Sequence, residues 1–222
     1  MVYFEKTQPA PASLAVEKAK TSGTYRQHDV LALLQNDFKN KCYLCEIEGL
    51  TSINVEHFVP HKGNRELEFD WNNFFFACPH CNNIKGQRTN LLNCTALSDE
   101  VDRKICYRLE TFPKKVVSID ATEPEPTEKV TNTVSLLNDI YYGTTEEKKI
   151  ESNNLRTKIL REINVFKQLL LDYFDEKSDK TALKAQIEEH LSSASAFSAF
   201  KRWIIWENER FTNEFGKFEF IK

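Results

Sequence analysis

The strongest constraint on this chain is a pair of Cys-x-x-Cys turns, Cys42-Tyr43-Leu44-Cys45 and Cys78-Pro79-His80-Cys81, with 32 residues between them. Each turn offers two sulfurs to one point, and two turns complete the four tetrahedral ligands of a structural zinc site. Disulfides are the competing use of such thiols, but they persist mainly in oxidising compartments. The chain has no apolar run near the about 20 residues that span a bilayer. Its first residues, Met-Val-Tyr-Phe-Glu-Lys-Thr, lack a basic stretch leading into an apolar core. The reading is therefore cytoplasmic, with no membrane partner and with Cys42, Cys45, Cys78 and Cys81 as Zn²⁺ ligands. Cys94 and Cys106 stand alone and read as buried small apolar residues, and His80 as an exposed knuckle tip. The spacing exceeds the about 15–20 residues of common four-Cys sites, so the ion staples a substantial insert whose folding it supports.

That insert carries the chemistry. Val55-Glu56-His57-Phe58-Val59-Pro60-His61 lies early in it, Asn73 lies near its end, and Asn82 follows the second turn directly. Hydrolysing a phosphodiester needs an activated water, charge stabilisation on the phosphate oxygens and help for the leaving oxygen. A neutral His57 suits the first task. Glu56 supplies a hard carboxylate and Asn82 an amide oxygen, donors suited to a cation such as Mg²⁺. An adjacent Glu-His pair alone says little; the whole set around two knuckles is far more specific.

Along the chain, Gln8-Pro9-Ala10-Pro11-Ala12 predicts an extended arm. Ser13–Lys20 predicts a short helix, and the stripe Val30, Leu31, Leu33, Leu34, Phe38 a second. Thr51–Val59 reads as a strand, Trp71–Ala77 as a second strand or buried turn, and residues 79–86 as a helix stopped by Gly86. Leu97–Val117 suggests one short helix and an apolar segment, and Asp120–Lys129 a solvated acidic linker. Beyond it, Leu155, Ile159, Ile163, Phe166, Leu170 and Phe174 recur at helical spacing, followed by helices over 180–191 and 194–214. The last carries Trp203 and Trp206 on a broad aromatic face, which reads first as packing between helices and second as a docking surface. The expected fold is α+β: a small ββα core with a four-Cys zinc staple, an N-terminal helix and a mainly helical C-terminal region. The expected boundaries are 1–38, 39–95 and 96–222.

The pattern from Glu56-His57 through Asn73 to Cys-x-x-Cys-Asn-x-x-Lys resembles the HNH endonucleases, the ββα-metal or His-Me finger group. The resemblance implies that His57 activates water, that Glu56 and Asn82 hold the catalytic metal, and that Asn73 fixes the loop and orients His57. An amide at the final position favours Mg²⁺ or Mn²⁺ there. Asn83 competes with Asn82 for that role, because sequence does not fix the helix phase. His61, Lys62, Arg65, Lys85 and Arg88 are candidates for holding nucleic-acid phosphates, with solvated surface charge the competing reading. More narrowly, Tyr3-Phe4-Glu5-Lys6, Asn54-Val55-Glu56-His57-Phe58-Val59-Pro60-His61-Lys62 and Tyr142-Gly143 before a long helix resemble the PtuB-type HNH proteins. These are the nuclease halves of Septu antiphage systems and occur in some retron operons. That resemblance implies a DNA substrate, an ABC/SMC-like (PtuA-type) ATPase partner and possible retron components.

Charge limits the alternatives. The net charge is −3, and residues 36–95 hold six Lys/Arg against seven Asp/Glu. No broad basic footprint for indiscriminate nucleic-acid binding is present, so any such site is local, metal-assisted or completed by a partner. Two other readings are a stand-alone restriction-type HNH nuclease, which needs its own DNA-reading surface, and a non-catalytic zinc-ribbon nucleic-acid-binding module. Intact Glu56, His57 and Asn82 argue against the second.

Overall fold

The computed structural model describes residues 1–175 and 179–216. Two helices, α1 (Ala12–Lys18) and α2 (His28–Asp37), precede the first cysteine turn, and α2 buries Val30 and Leu34 on one face. Strand β1 (Asn54–His57) pairs antiparallel with β2 (Phe74–Ala77) in the register Asn54↔Ala77 to His57↔Phe74. Between them lie the one-turn helix α3 (Arg65–Glu68) and a 3₁₀ turn, Trp71–Asn73. Helix α4 (Pro79–Lys85) follows β2, with Cys78 as its N-cap, proline in its first turn and Gly86 at φ 52° ending it. Proline is preset for a first turn and glycine tolerates positive φ, so this small helix is locally specified at both ends.

All four residues of β2 are buried, which is why the segment reads as uninterrupted aromatic rather than alternating. Phe75 packs on Phe38, Tyr43 and Phe58 with centroids 4.8–5.4 Å apart. Phe74 sits edge-on to His57 at 5.2 Å. The arm before α1 has no regular structure but is firmly docked. Lys6 donates to the carbonyls of Trp71 and Phe74, the latter at 2.7 Å, and Trp71 Nε1 donates to Thr7 O at 2.9 Å.

After the core come a 3₁₀ turn (Leu97–Asp99), α5 (Val101–Lys104) and a second antiparallel hairpin, β3 (Ile105–Glu110) and β4 (Val116–Ala121). The expectation of one short helix and an apolar segment missed this hairpin. Ile105, Cys106 and Tyr107 are buried in succession, so β3 shows no period-2 alternation in the sequence. Helix α6 (Glu128–Tyr142) packs on β4, and the 28-residue α7 (Glu146–Tyr173) packs on α6. The stripe read from sequence, Leu155, Ile159, Ile163, Phe166 and Leu170, is the buried face of α7. Helix α8 (Lys180–Leu191) follows. The expected last helix is two, α9 (Ser198–Trp206) and α10 (Glu209–Phe215). Asn208 breaks it by capping α10, its side chain accepting from Phe211 N at 3.3 Å.

One hydrophobic core runs from Val2 and Phe4 through the cysteine turns and β1–β2 to the hairpin, α6, the first half of α7 and Phe200 of α9. A smaller cluster joins Phe166, Leu170, Tyr173, Ile187, Leu191, Ile205 and Phe215. Trp203 packs against the first and Trp206 against the second, their rings 5.2 Å apart. Cys94 and Cys106 are buried. The first cysteine turn also grips α9 directly. Glu46, fully buried, accepts from Ser198 Oγ at 2.8 Å and Ala199 N at 3.1 Å, capping the positive end of α9. Lys41 is buried beside it, donating to Ser195 O at 2.5 Å. Burial pushes the Glu46 carboxyl up, but the Met1 ammonium and Lys41 outweigh it and hold the pKa at about 2. None of the helices among the described residues is long and apolar enough to cross a membrane.

Candidate metal centre and catalytic cleft

The four knuckle cysteines converge. Their Sγ atoms all lie within 4.8 Å of one another, and Cys45 Sγ to Cys78 Sγ is 3.9 Å. A tetrahedron with Zn–S bonds of about 2.3 Å has edges of about 3.8 Å, so the sulfurs fit zinc. Tight backbone turns aim them. Glu46 takes φ 58° as its N–H bonds Cys42 O at 2.9 Å, and Cys81 N donates to Cys78 Sγ at 3.4 Å. Tyr43 N bonds Phe76 O at 3.0 Å, which ties the first turn to β2. Burial pushes the Cys45 and Cys81 thiols up; a bound cation is what makes such buried sulfurs stable as thiolates. His80 is not in the cluster, and it is not an exposed tip either. Its side chain is only 12% exposed, because Nδ1 meets Glu151 at 2.6 Å and Nε2 meets Ile140 O at 2.8 Å. The second knuckle is thereby tied to α6 and α7.

Beside the zinc staple, an open cleft of about 480 Å³ is lined by Glu56, His57, His61, Lys62, Asn82 and Asn83, among others. His57 sits at the end of β1, 8% exposed, with its ring between Tyr25 (4.9 Å), His61 (4.6 Å) and Phe74. Its Nε2 lies 3.0 Å from the carbonyl oxygen of Glu68. A carbonyl only accepts, so Nε2 carries the proton and neutral His57 keeps Nδ1 as a free base. Burial lowers the His57 pKa, with the Glu68 carbonyl pulling the other way. The ring is thus held neutral around pH 7, ready to take a proton.

The loop after His57 is built to present that carbonyl. Asn64 caps α3, accepting from Glu66 N at 2.9 Å, and so shapes the turn that ends at Glu68. Asn73, buried at the hairpin base, accepts from Val59 N at 2.7 Å and donates to Val59 O at 2.9 Å and Leu67 O at 3.1 Å. One side chain therefore closes the loop at both ends. Phe58 N bonds Asn73 O at 2.9 Å, extending the clamp through the backbone.

On the facing helix, Asn82 and Lys85 are three apart and share a side. Lys85 is buried and reaches β1, donating to Glu56 Oε1 at 2.5 Å and to His57 O at 3.2 Å. That phase puts Asn82 on the Lys85 side of α4, and both Asn82 and Asn83 line the cleft. Glu56 keeps its second oxygen without a hydrogen-bond partner among the described residues, and burial raises its pKa against the pull of Lys85. One free carboxylate oxygen and one amide oxygen on a polar cleft fit a hard divalent cation that retains water and takes further ligands from a phosphate.

The five residues expected to touch phosphates separate sharply. His61 and Lys62 line the cleft. Lys85 does not reach solvent; it is 1% exposed and held by Glu56. Arg65 is turned to the end of α1, where Nε donates to Lys18 O at 2.9 Å and an NH2 to Glu17 O at 3.3 Å. Free carbonyls at a helix C-terminus attract a cation, so its role there is structural. Arg88 pairs with Asp139 at 2.6 Å and lines a separate cleft against α6. The sequence reading missed Tyr25, Arg26, Asn54 and Gln87, which complete the cleft wall. Arg26 is exposed, and no ion pair joins it or Lys62 to a carboxylate among the described residues. Tyr25-Arg26 precedes α2 with no motif around it, so only the tertiary fold reveals it.

Residues 42–88 match the family model described as HNH endonuclease. No curated protein matches the chain. The matched segment begins at the first cysteine of the staple and ends just after α4, so it holds both cysteine turns and all of the cleft lining except Tyr25 and Arg26. The match supports a metal-dependent nuclease, and the four-cysteine cluster supports zinc as its structural ion.

Proposed function

We propose that the chain is a DNA endonuclease that hydrolyses phosphodiester bonds, with His57 as the base and Glu56 and Asn82 as the protein ligands of Mg²⁺ or Mn²⁺. The observation that carries this reading is the 3.0 Å contact of His57 Nε2 with Glu68 O, which leaves Nδ1 as a free base on the cleft beside Glu56 and Asn82. Nδ1 removes a proton from water, the water oxygen forms the new bond to phosphorus, and one P–O ester bond breaks. The Glu68 carbonyl stabilises the imidazolium that forms, because the Nε2–H it accepts becomes more acidic. Glu56 and Asn82 would hold the cation, which would neutralise charge on the phosphate and the leaving oxygen. Lys62 and Arg26, in no ion pair among the described residues, hold flanking phosphates, and His61 lies beside the base.

The same reading makes the chain one half of an ATPase–nuclease antiphage pair of the Septu kind, with an ABC/SMC-like ATPase supplying DNA engagement. The PtuB-like segments support it, and so does a chain of net charge −3 whose unpaired cleft cations are few. A stand-alone nuclease would need a wider basic surface of its own.

The test is cleavage of plasmid DNA in Mg²⁺ or Mn²⁺ by zinc-loaded protein, with and without a candidate PtuA-type ATPase partner. Nicking that EDTA and His57→Ala both abolish supports the nuclease and its base, and dependence on the ATPase supports the pair. Folded, zinc-loaded protein that cleaves neither DNA nor RNA under any of these conditions overturns the reading in favour of a binding module.

A further inference from the structure

Glu56 is the only carboxylate among the described residues lining the cleft, and one of its two oxygens is already bonded to the ammonium of Lys85 at 2.5 Å. The other charged groups on the wall are Arg26 and Lys62, both cationic. Asn54, Asn82, Asn83 and Gln87 are neutral amides. Without substrate, the charge around Glu56 therefore sums to zero or above. A divalent cation entering this cleft alone gives up hydration and gains one shared carboxylate and one amide in return. Mg²⁺ surrenders its waters reluctantly and is ordinarily held by carboxylates together with substrate phosphates.

We infer that Lys85 is a positioning residue that keeps the cleft from holding a divalent cation until a phosphodiester arrives, so that cation and nucleic acid bind as a coupled pair. This rests on the nuclease reading of the cleft. Lys85 is placed for the task twice over. It fixes Glu56 by one oxygen, and it bonds the His57 carbonyl at 3.2 Å, so the ligand and the base are held in one frame. Its stem rises from α4, which the zinc cysteine Cys81 anchors. The phosphate supplies the negative charge that Lys85 cancels. By linkage, the factor by which nucleic acid tightens cation binding equals the factor by which the cation tightens nucleic-acid binding. A consequence is economy of cleavage: cation alone does not load the site, so an unengaged nuclease holds no poised metal.

The experiment measures Mn²⁺ binding by electron paramagnetic resonance on zinc-loaded full-length protein. His57→Ala protein is titrated with and without a DNA duplex, so that binding is followed without cleavage, and Glu56→Gln protein subtracts uptake by the duplex itself. Expected is a Mn²⁺ affinity at least about tenfold tighter with duplex, within the usual range of coupling between sites. Lys85→Met should tighten Mn²⁺ binding about tenfold in the absence of DNA, while Lys85→Arg stays weak. A merely structural lysine would give the opposite sign, since damage loosens a site. If Lys85→Met loses its zinc or its fold, the duplex comparison in the Lys85-containing protein decides alone. Equal Mn²⁺ affinity with and without duplex, or a folded Lys85→Met no tighter than the parent, overturns the inference and leaves the nuclease reading standing. No site-specific Mn²⁺ under any condition overturns the nuclease reading beneath it.

Discussion

Asn73 offers the sharpest test of how the loop is held, because its amide uses an acceptor and a donor in opposite directions. Oδ1 takes Val59 N at 2.7 Å, while Nδ2 gives to Val59 O at 2.9 Å and Leu67 O at 3.1 Å. Asn73→Ala deletes all three. At about 1 kcal/mol net per bond the loss is about 3 kcal/mol, and Val59 is 43% exposed, so water softens the figure rather than adding to it. Asn73→Asp keeps size and shape but turns the Nδ2 position into an oxygen facing two carbonyl oxygens. Two bonds become repulsive contacts, so the aspartate should cost more than the alanine, about 4–5 kcal/mol. The assay is equilibrium urea unfolding of zinc-loaded protein at neutral pH. Leu67 precedes Glu68, whose carbonyl orients His57, so cleavage by the surviving folded fraction should also fall in both variants. An aspartate variant as stable as the alanine one, or both within about 0.5 kcal/mol of the parent, would refute the clamp.

Other expectations follow from the same contacts. Activity should require neutral His57, whose pKa burial lowers; the rate is then full above that pKa and falls as pH drops through it. The acid limb of a pH–rate profile should have its midpoint below the ordinary histidine value of about 6.5, and a midpoint above 7 speaks against His57 as the base. Mass spectrometry of metal content should find zinc in the parent, and Cys78→Ser should lose both the zinc and the cooperative unfolding transition, since the sulfurs hold the insert and the core together. Glu46→Ala should cost about 3–5 kcal/mol in urea unfolding, because it strands buried Lys41 and uncaps α9. Retention of full stability would mean that this ion pair does not bind the first knuckle to α9. Arg26→Ala and Arg65→Ala should separate cleanly: the first weakens DNA binding with unchanged stability, the second destabilises α1 and α3 with DNA binding retained. Fluorescence anisotropy and urea unfolding on the same samples decide.

The parts of the molecule legible in sequence are those whose geometry is local. Two Cys-x-x-Cys turns fix their own sulfurs, and Pro79 and Gly86 mark the ends of α4 within a few residues. The long stripe of α7 carries its own period. By contrast, the hairpin β3–β4 takes its burial from α6 and α9, so its residues show no alternation to read. The final helices divide at Asn208, a capping residue that composition alone treats as one more polar position. The cleft behaves the same way. Glu56, His57, Asn73 and Asn82 stand out because their chemistry and spacing are both recorded in the chain. The carbonyl of Glu68 is a backbone group that any residue would supply, and Tyr25 and Arg26 arrive from outside the stapled segment.

Charge shows most clearly why folding decides what composition leaves open. Between residues 36 and 95 acids outnumber bases by seven to six, and on that count alone the segment has no attraction for a phosphate backbone. Folding spends the bases unequally. Arg65 goes to the end of α1, Arg88 to Asp139 and Lys85 to Glu56. Glu66 and Glu68 meanwhile pair with Lys18 and Arg65 on the α1 side of the loop. What faces the cleft is Lys62, joined by Arg26 from the N-terminal segment, around one carboxylate whose charge Lys85 already balances. An acidic chain thereby presents a small cationic mouth over the proposed base, His57, and the proposed ligand oxygens of Glu56 and Asn82. If the proposed function holds, a mouth that small engages one or two phosphates and does not track a duplex, so selection of where to cut is expected from contacts outside it.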